Sequence, residues 1–160
     1  MSGYATTRDE IATQLKAVSG IGKVYNHRRH SADWTTFLSR FKDTNGLINV
    51  CWITRVDDSE SANGIGSMDE AAQVTWVQED EYWEIEFLYG FKDDDDTGSP
   101  SEYGFNTLVD LIEDKFRFLQ NLNGKAYASF PLNRTGSTFG MLGEVLCHRA
   151  VWRLRVQHHL

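Results

Sequence analysis

Two stretches of strict alternation constrain what this chain can fold into more than anything else in it. In the first, Trp83, Ile85, Phe87, Tyr89 and Phe91 fall on one side, and Tyr82, Glu84, Glu86 and Leu88 on the other. In the second, Leu146, His148, Ala150, Trp152, Leu154 and Val156 share a side, opposite Arg149, Arg153, Arg155 and Gln157. Successive side chains of a strand point to opposite faces, so both stretches predict strands with one face in a core. The best helix lies between them. Counted at about 100° per residue, Phe105, Leu108, Val109, Leu111, Ile112, Phe116, Phe118, Leu119 and Leu122 fill half of a cylinder over residues 105–122. Asn106, Asp110, Glu113, Asp114, Arg117, Gln120 and Asn121 fill the other half, and only Lys115 intrudes. An apolar arc that wide covers a sheet and leaves a flank for something else.

The remaining elements are marked by punctuation. Thr7-Arg8-Asp9-Glu10 has the spacing of a capping box, and Ile11, Leu15 and Val18 make one narrow stripe behind it. Gly20 ends that helix in the left-handed conformation, with Ile21 placed for an apolar cap contact. Residues 23–25 read as a short strand and 26–30 as a turn. Ser31 is placed to cap a second helix whose Trp34, Phe37, Leu38 and Phe41 share a face, and Asn45-Gly46 breaks it. Residues 47–56 and 73–91 read as strands, the latter bent near residues 79–81, and 126–132 as a short one. Residues 57–70, 93–100 and 133–143 read as exposed loops. At 160 residues the chain suits one domain, long enough to bury about two-thirds of its unfolded surface. An apolar content of 41% supplies a packed core and argues against disorder. There is no internal repeat and no sign of a second domain.

Composition also restricts function. No apolar run approaches the roughly 18 residues of a membrane span. The N-terminus lacks the basic and then apolar pattern of a secretory signal, so the chain is expected to stay inside the cell that makes it. Cys51 and Cys147 are too few for a disulfide scaffold and sit in strand-like apolar runs, which predicts buried free thiols. A net charge of -7 argues against a general nucleic-acid binder and against docking on anionic membranes.

The search for catalytic chemistry finds none. Cys147 and His148 are neighbours in a strand and point apart, so they cannot act as nucleophile and base together. His27, His30 and Asp33 match no standard zinc spacing, and a solvated turn accounts for them better. The Asp93-Asp94-Asp95-Asp96 run lacks the alternating ligands, central glycine and distal glutamate of a calcium loop. Asp110, Glu113 and Asp114 sit on the polar half of their helix, where Arg117 can neutralise Glu113 and Asp114, which predicts a solvated face. Phosphate loops, nucleotide fingerprints and nucleophile elbows are absent. Neither cofactor nor metal is expected. Two interaction surfaces remain: the basic cluster His27, Arg28, Arg29 and His30 with Lys23 nearby, and the acidic run Asp93, Asp94, Asp95 and Asp96.

Four stretches together resemble the tail terminator and tail-completion proteins of long-tailed bacteriophages. They are residues 10–25 (from Glu10-Ile11-Ala12 to Lys23-Val24-Tyr25), Trp52-Ile53-Thr54-Arg55, residues 83–91 running into acidic residues and a long helix, and Val145-Leu146-Cys147-His148 with its alternating continuation. Their order and spacing cover nearly the whole chain, though each alone is a packing pattern. The resemblance implies an α+β fold, a mixed and mainly antiparallel sheet with helices packed on it. It implies a structural, non-enzymatic virion protein of the tail or neck, assembled in the host cytoplasm as a ring, usually hexameric. Such a ring caps the tail tube, ends tail growth and joins the tail to the head connector or stopper. DNA would pass through it without specific binding, and acidic side chains facing the channel would keep the duplex centred. The Asp93–Asp96 run is a candidate for that wall, or for contact with tube or connector. Two alternatives stay open: another neck protein, such as a head-closure or adaptor subunit, and a small bacterial ligand-binding or enzymatic α+β domain.

Overall fold

The computed structural model describes residues 3–28, 34–56, 65–66, 76–92 and 101–159. Helix α1 (Gly3–Lys16) buries Ile11 and Leu15, with Val18 just beyond its end, as the stripe predicts. The capping box is not formed, because the helix begins four residues before Thr7. Thr7 is fully buried inside it, with its hydroxyl 3.3 Å from His158 Nε2. Glu10 instead accepts hydrogen bonds from Gln14 at 2.6 Å and Asn123 at 2.7 Å. The chain then loosens through a tight turn to Gly20, whose φ of +83° is the left-handed conformation expected there. Ile21 packs on the core. Buried Asn49 locks this turn: its side chain accepts from the Gly22 amide at 2.9 Å and donates to the Gly20 carbonyl at 2.9 Å. A Cβ at Gly22 would overlap Asn49, so the close approach requires glycine.

Strand β1 (Lys23–Tyr25) runs parallel to β2 (Asn49–Val56). Between them lies helix α2 (Trp34–Phe41), whose Phe41 is fully buried against Tyr25 and Trp52. Ser31, the expected cap, lies outside the described residues. Ile65–Gly66 forms β3 and Trp76–Gly90 forms β4. The loop reading of residues 57–70 is corrected at this point, since β3 pairs with Trp76 and Val77. Strand β4 extends past the end of β2 at Val56, and the backbone groups of that extension need partners. Residues 57–64 and 67–70 lie outside the described residues. The acidic triplet 79–81 stays in unbroken register with β7 (Val145–His159) and does not interrupt the strand.

Helix α3 (Ser101–Arg117) starts and stops earlier than the apolar pattern predicts. Leu122, Asn123 and Gly124, all with positive φ, turn the chain sharply, yet Leu122 is fully buried. Strand β5 is only Ala128–Ser129, shorter than expected. The stretch 133–143 is not a loop: β6 (Asn133–Leu142) is a ten-residue strand joined to β7 by a two-residue turn at Gly143-Glu144, with Gly143 at a φ of +60°. Its side chains are exposed on both faces, so no alternation marks it.

The sheet therefore runs β1-β2-β4-β7, with β6 and β5 sharing the far side of β7, and every neighbouring pair except β1 and β2 is antiparallel. This is the expected α+β class. Helix α1 covers β1 and β2, and α3 covers β4 and β7. Beneath them Trp83, Phe87 and Trp152 are fully buried in one layer, Phe87 stacked on Phe105 at 5.8 Å. Helix α2 seals a smaller cluster on the opposite face, with Val50, Trp52, Leu88 and Cys147.

Candidate functional site

Among the described residues, three polar clusters form around Glu86, Glu81 and His148, and in the first two the geometry is that of internal cement. On the α2 face, Glu86 is 4% exposed, opposite Trp52 in the ladder. Its carboxylate accepts from Arg149 Nε at 2.6 Å, Trp52 Nε1 at 2.7 Å and Arg28 Nη2 at 2.7 Å. Burial alone would raise this carboxyl; the bonds from Arg149, Trp52 and Arg28, with the Arg149 charge, outweigh it and hold the group below the ordinary glutamate range. The Arg28 guanidinium also lies 5.6 Å over the Trp52 ring. On the α1 face, Glu81 takes Trp83 Nε1 at 3.3 Å and approaches His158 Nε2 at 3.3 Å.

The third place is the cleft between the start of α3 and the β6–β7 hairpin, about 160 Å³ in volume and lined by Glu102, Phe105, Asn106, Ser137, Thr138, Phe139 and His148. From its wall, His148 reaches Ser101, with Nε2 and Oγ 2.9 Å apart. Ser101 also accepts the Lys92 amide at 3.0 Å and gives its own amide to the Lys92 carbonyl at 3.3 Å. Lys92 and Ser101 are thus clasped together at the two ends of residues 93–100. The His148 ring lies within 5.1 to 5.4 Å of Phe91, Phe105 and Phe139. Burial pushes its imidazole below the ordinary value, and the Glu102 charge offsets only part of this.

Of the sequence-predicted residues, Arg28 is drawn onto Glu86, while His27 is exposed and bonded to Asn26. Arg29 and His30 lie outside the described residues, as do Asp93, Asp94, Asp95 and Asp96. Cys51 and Cys147 are buried free thiols, as expected. Burial raises both, Cys51 with a contribution from the Glu86 charge and Cys147 to about 11. Cys147 joins the α2 cluster while His148 faces α3, so the two point apart. Glu113 departs from the solvated face predicted for it. Arg134 holds it in a two-pronged bond at 2.7 and 3.0 Å, and Trp152 Nε1 donates to it at 2.8 Å. The Arg134 bonds outweigh burial and, with Trp152 and the Arg134 and Arg117 charges, keep this carboxyl low. Arg117 pairs with Asp114 at 2.9 Å instead. Among the described residues, no three His, Cys, Asp or Glu side chains could hold a metal ion together.

Glu86 was missed because an outward-facing glutamate in an alternating strand reads as solvated. The available signal was its neighbour: residues 50–53 are apolar on both faces, so β2 is covered twice, and the adjoining row of β4 shares the cover. Ser101 with His148 had no signal, being joined across 47 residues.

No protein-family model matches the chain, and no curated protein matches it. Among the described residues, no helix is long and apolar enough to cross a membrane.

Proposed function

We propose that the chain is a structural subunit of a long-tailed bacteriophage, a tail terminator that assembles as a ring on the tail tube, ends tail growth and joins the tail to the head connector. The sequence resemblance supports this, and the architecture is of the class that resemblance implies. The observation that carries the reading is apolar surface left uncovered. Tyr103 is 75% exposed, Phe118 79%, Phe139 58% and Met141 60%, with Phe91, Leu111 and Leu146 at 40%. Clustered exposure of large apolar side chains marks a surface that meets another protein. The carboxylates of Glu86 and Glu113 are meanwhile held by tryptophan and arginine partners within the chain. Mass photometry of the pure protein, alone and with tail tube protein, tests the reading. Closed rings are the expected result; monomer under both conditions sinks it. Tight duplex binding in a low-salt gel shift would independently rule out a DNA conduit.

One observation favours a second reading, a small ligand-binding or enzymatic domain. Ser101 and His148 stand at the spacing of a nucleophile and its base, and His148 lines a cleft. Hydrolysis of an activated ester, abolished by Ser101→Ala, would favour that reading over a clasp.

A further inference from the structure

The two edges of the sheet differ in charge and in cover. At the β6 edge, Phe91, Phe139, Met141 and Leu146 form one continuous apolar patch. Phe91 and Phe139 rings meet at 5.9 Å, Phe91 bonds to the Leu146 carbonyl, and Met141 is paired with Leu146 in the ladder. Among the described residues, β6 pairs only with β7. The helix beside it is acidic on balance: α3 carries Glu102, Asp110, Glu113 and Asp114 against Lys115 and Arg117 in its last turn, where Arg117 pairs with Asp114. Glu113 is neutralised by Arg134, while Glu102 and Asp110 are exposed.

The opposite edge is the reverse. Residues 21–28 and 34–42, which carry β1 and α2, contain Lys23, Arg28, Arg40 and Lys42 and no aspartate or glutamate. Arg40 and Lys42 are exposed. Ile21 and Val24 stand half-buried at this edge, on the same face of the sheet as Phe139 and Met141.

We infer that the partner of the β6–α3 edge is the β1–α2 edge of a second copy of this chain. The inference rests on the ring reading above and names the surface that builds it. Charge decides the pairing. Setting β6 against β6 of another copy would bring Glu102 and Asp110 against acidic helices, and like charges across an interface are costly. Setting β6 against β1 brings acid to base and apolar patch to Ile21 and Val24. These edges lie at opposite ends of the strand order, so each contact leaves a free edge on both subunits. Repeated by rotation, such a head-to-tail contact closes a ring.

The test uses the full chain in sedimentation velocity across protein concentration and salt, with circular dichroism to verify folding. Met141→Lys, at an exposed position, should weaken association. Glu102→Lys with Asp110→Lys, or Arg40→Glu with Lys42→Glu, should each raise the dissociation constant by about tenfold, as opposing rim charges do. All four reversals in one chain should restore association, which a merely destabilised variant would not do. An equimolar mixture of the two reversed chains should restore closed assemblies in which the two chains alternate, because each retains one parental edge and the reversed edges match each other. Oligomers insensitive to Met141→Lys and to every reversal would overturn this surface while leaving the ring reading standing. So would variants that assemble normally yet lose tube protein, since the occupant would then be the tube. Monomer under all conditions, with and without tube protein, would overturn both.

Discussion

The two faces of the sheet are stabilised in different ways. The face under α1 and α3 is filled by Trp83, Phe87, Trp152 and their apolar neighbours, with Thr7, Glu81 and His148 as buried polar groups beside them. The face under α2 has a smaller apolar cluster, and beside it a carboxylate buried under three donors. The first depends on volume and removal of apolar surface from water, which tolerate imprecise geometry. The second depends on direction: Glu86 is tolerable in the interior only while its donors stay in place. One sheet thus carries a face that fails by cavity and a face that fails by orphaned charge.

The largest expected effect breaks the first face. Trp152→Ala should cost about 3–5 kcal/mol, the range for aromatic truncation in a core. Chemical denaturation measures it, and a loss below about 1 kcal/mol would mean that the α3 face does not dominate stability. Glu86→Leu probes the second face and should cost about 2–3 kcal/mol, since two arginines and an indole N–H lose a charged acceptor. The arginines are partly exposed and can turn to water, which keeps this below the tryptophan loss. Equal or greater loss than Trp152→Ala would reverse the ranking. Arg28→Ala removes only the most exposed donor and should cost about 0.5–1 kcal/mol, with the Arg149 and Trp52 bonds intact.

The smallest effect is a pH dependence that separates the faces further. His148 sits below its ordinary value near 6.5 in the folded chain, so the unfolded chain takes up the proton first. Its contribution is complete above that value and declines as pH falls toward the lowered one. Melting temperatures from about pH 7.5 to about pH 5.5 should fall slightly, and His148→Gln should flatten that part of the curve. Glu86 has the opposite requirement for charge and titrates in a separate window. Its contribution is present above the ordinary 4.5 and is lost as pH falls through its lowered value. A parental curve flat to pH 4.5 would contradict the His148 assignment.

Wherever burial follows a period, local order alone was enough. The alternation in residues 82–89 and 146–156 placed β4 and β7 and put Trp83, Phe87 and Trp152 in one layer, because a strand offers its side chains two directions only. Gly20 and Gly46, both at positive φ, marked turns that few other residues could make. Tertiary structure decided the rest. Strand β6 has no pattern, since an edge exposed on both faces imposes none, and only pairing with β7 makes it a strand. Thr7 lost its capping role because the helix begins four residues before it, and its buried hydroxyl meets His158 instead. Glu113 turned from solvent to Trp152 once β6 brought Arg134 beside it. Glu86 gained its donors from three separate segments. A periodic pattern records which way a side chain points, but a buried polar group is specified by partners distant in sequence, and those exist only after the sheet has closed around it.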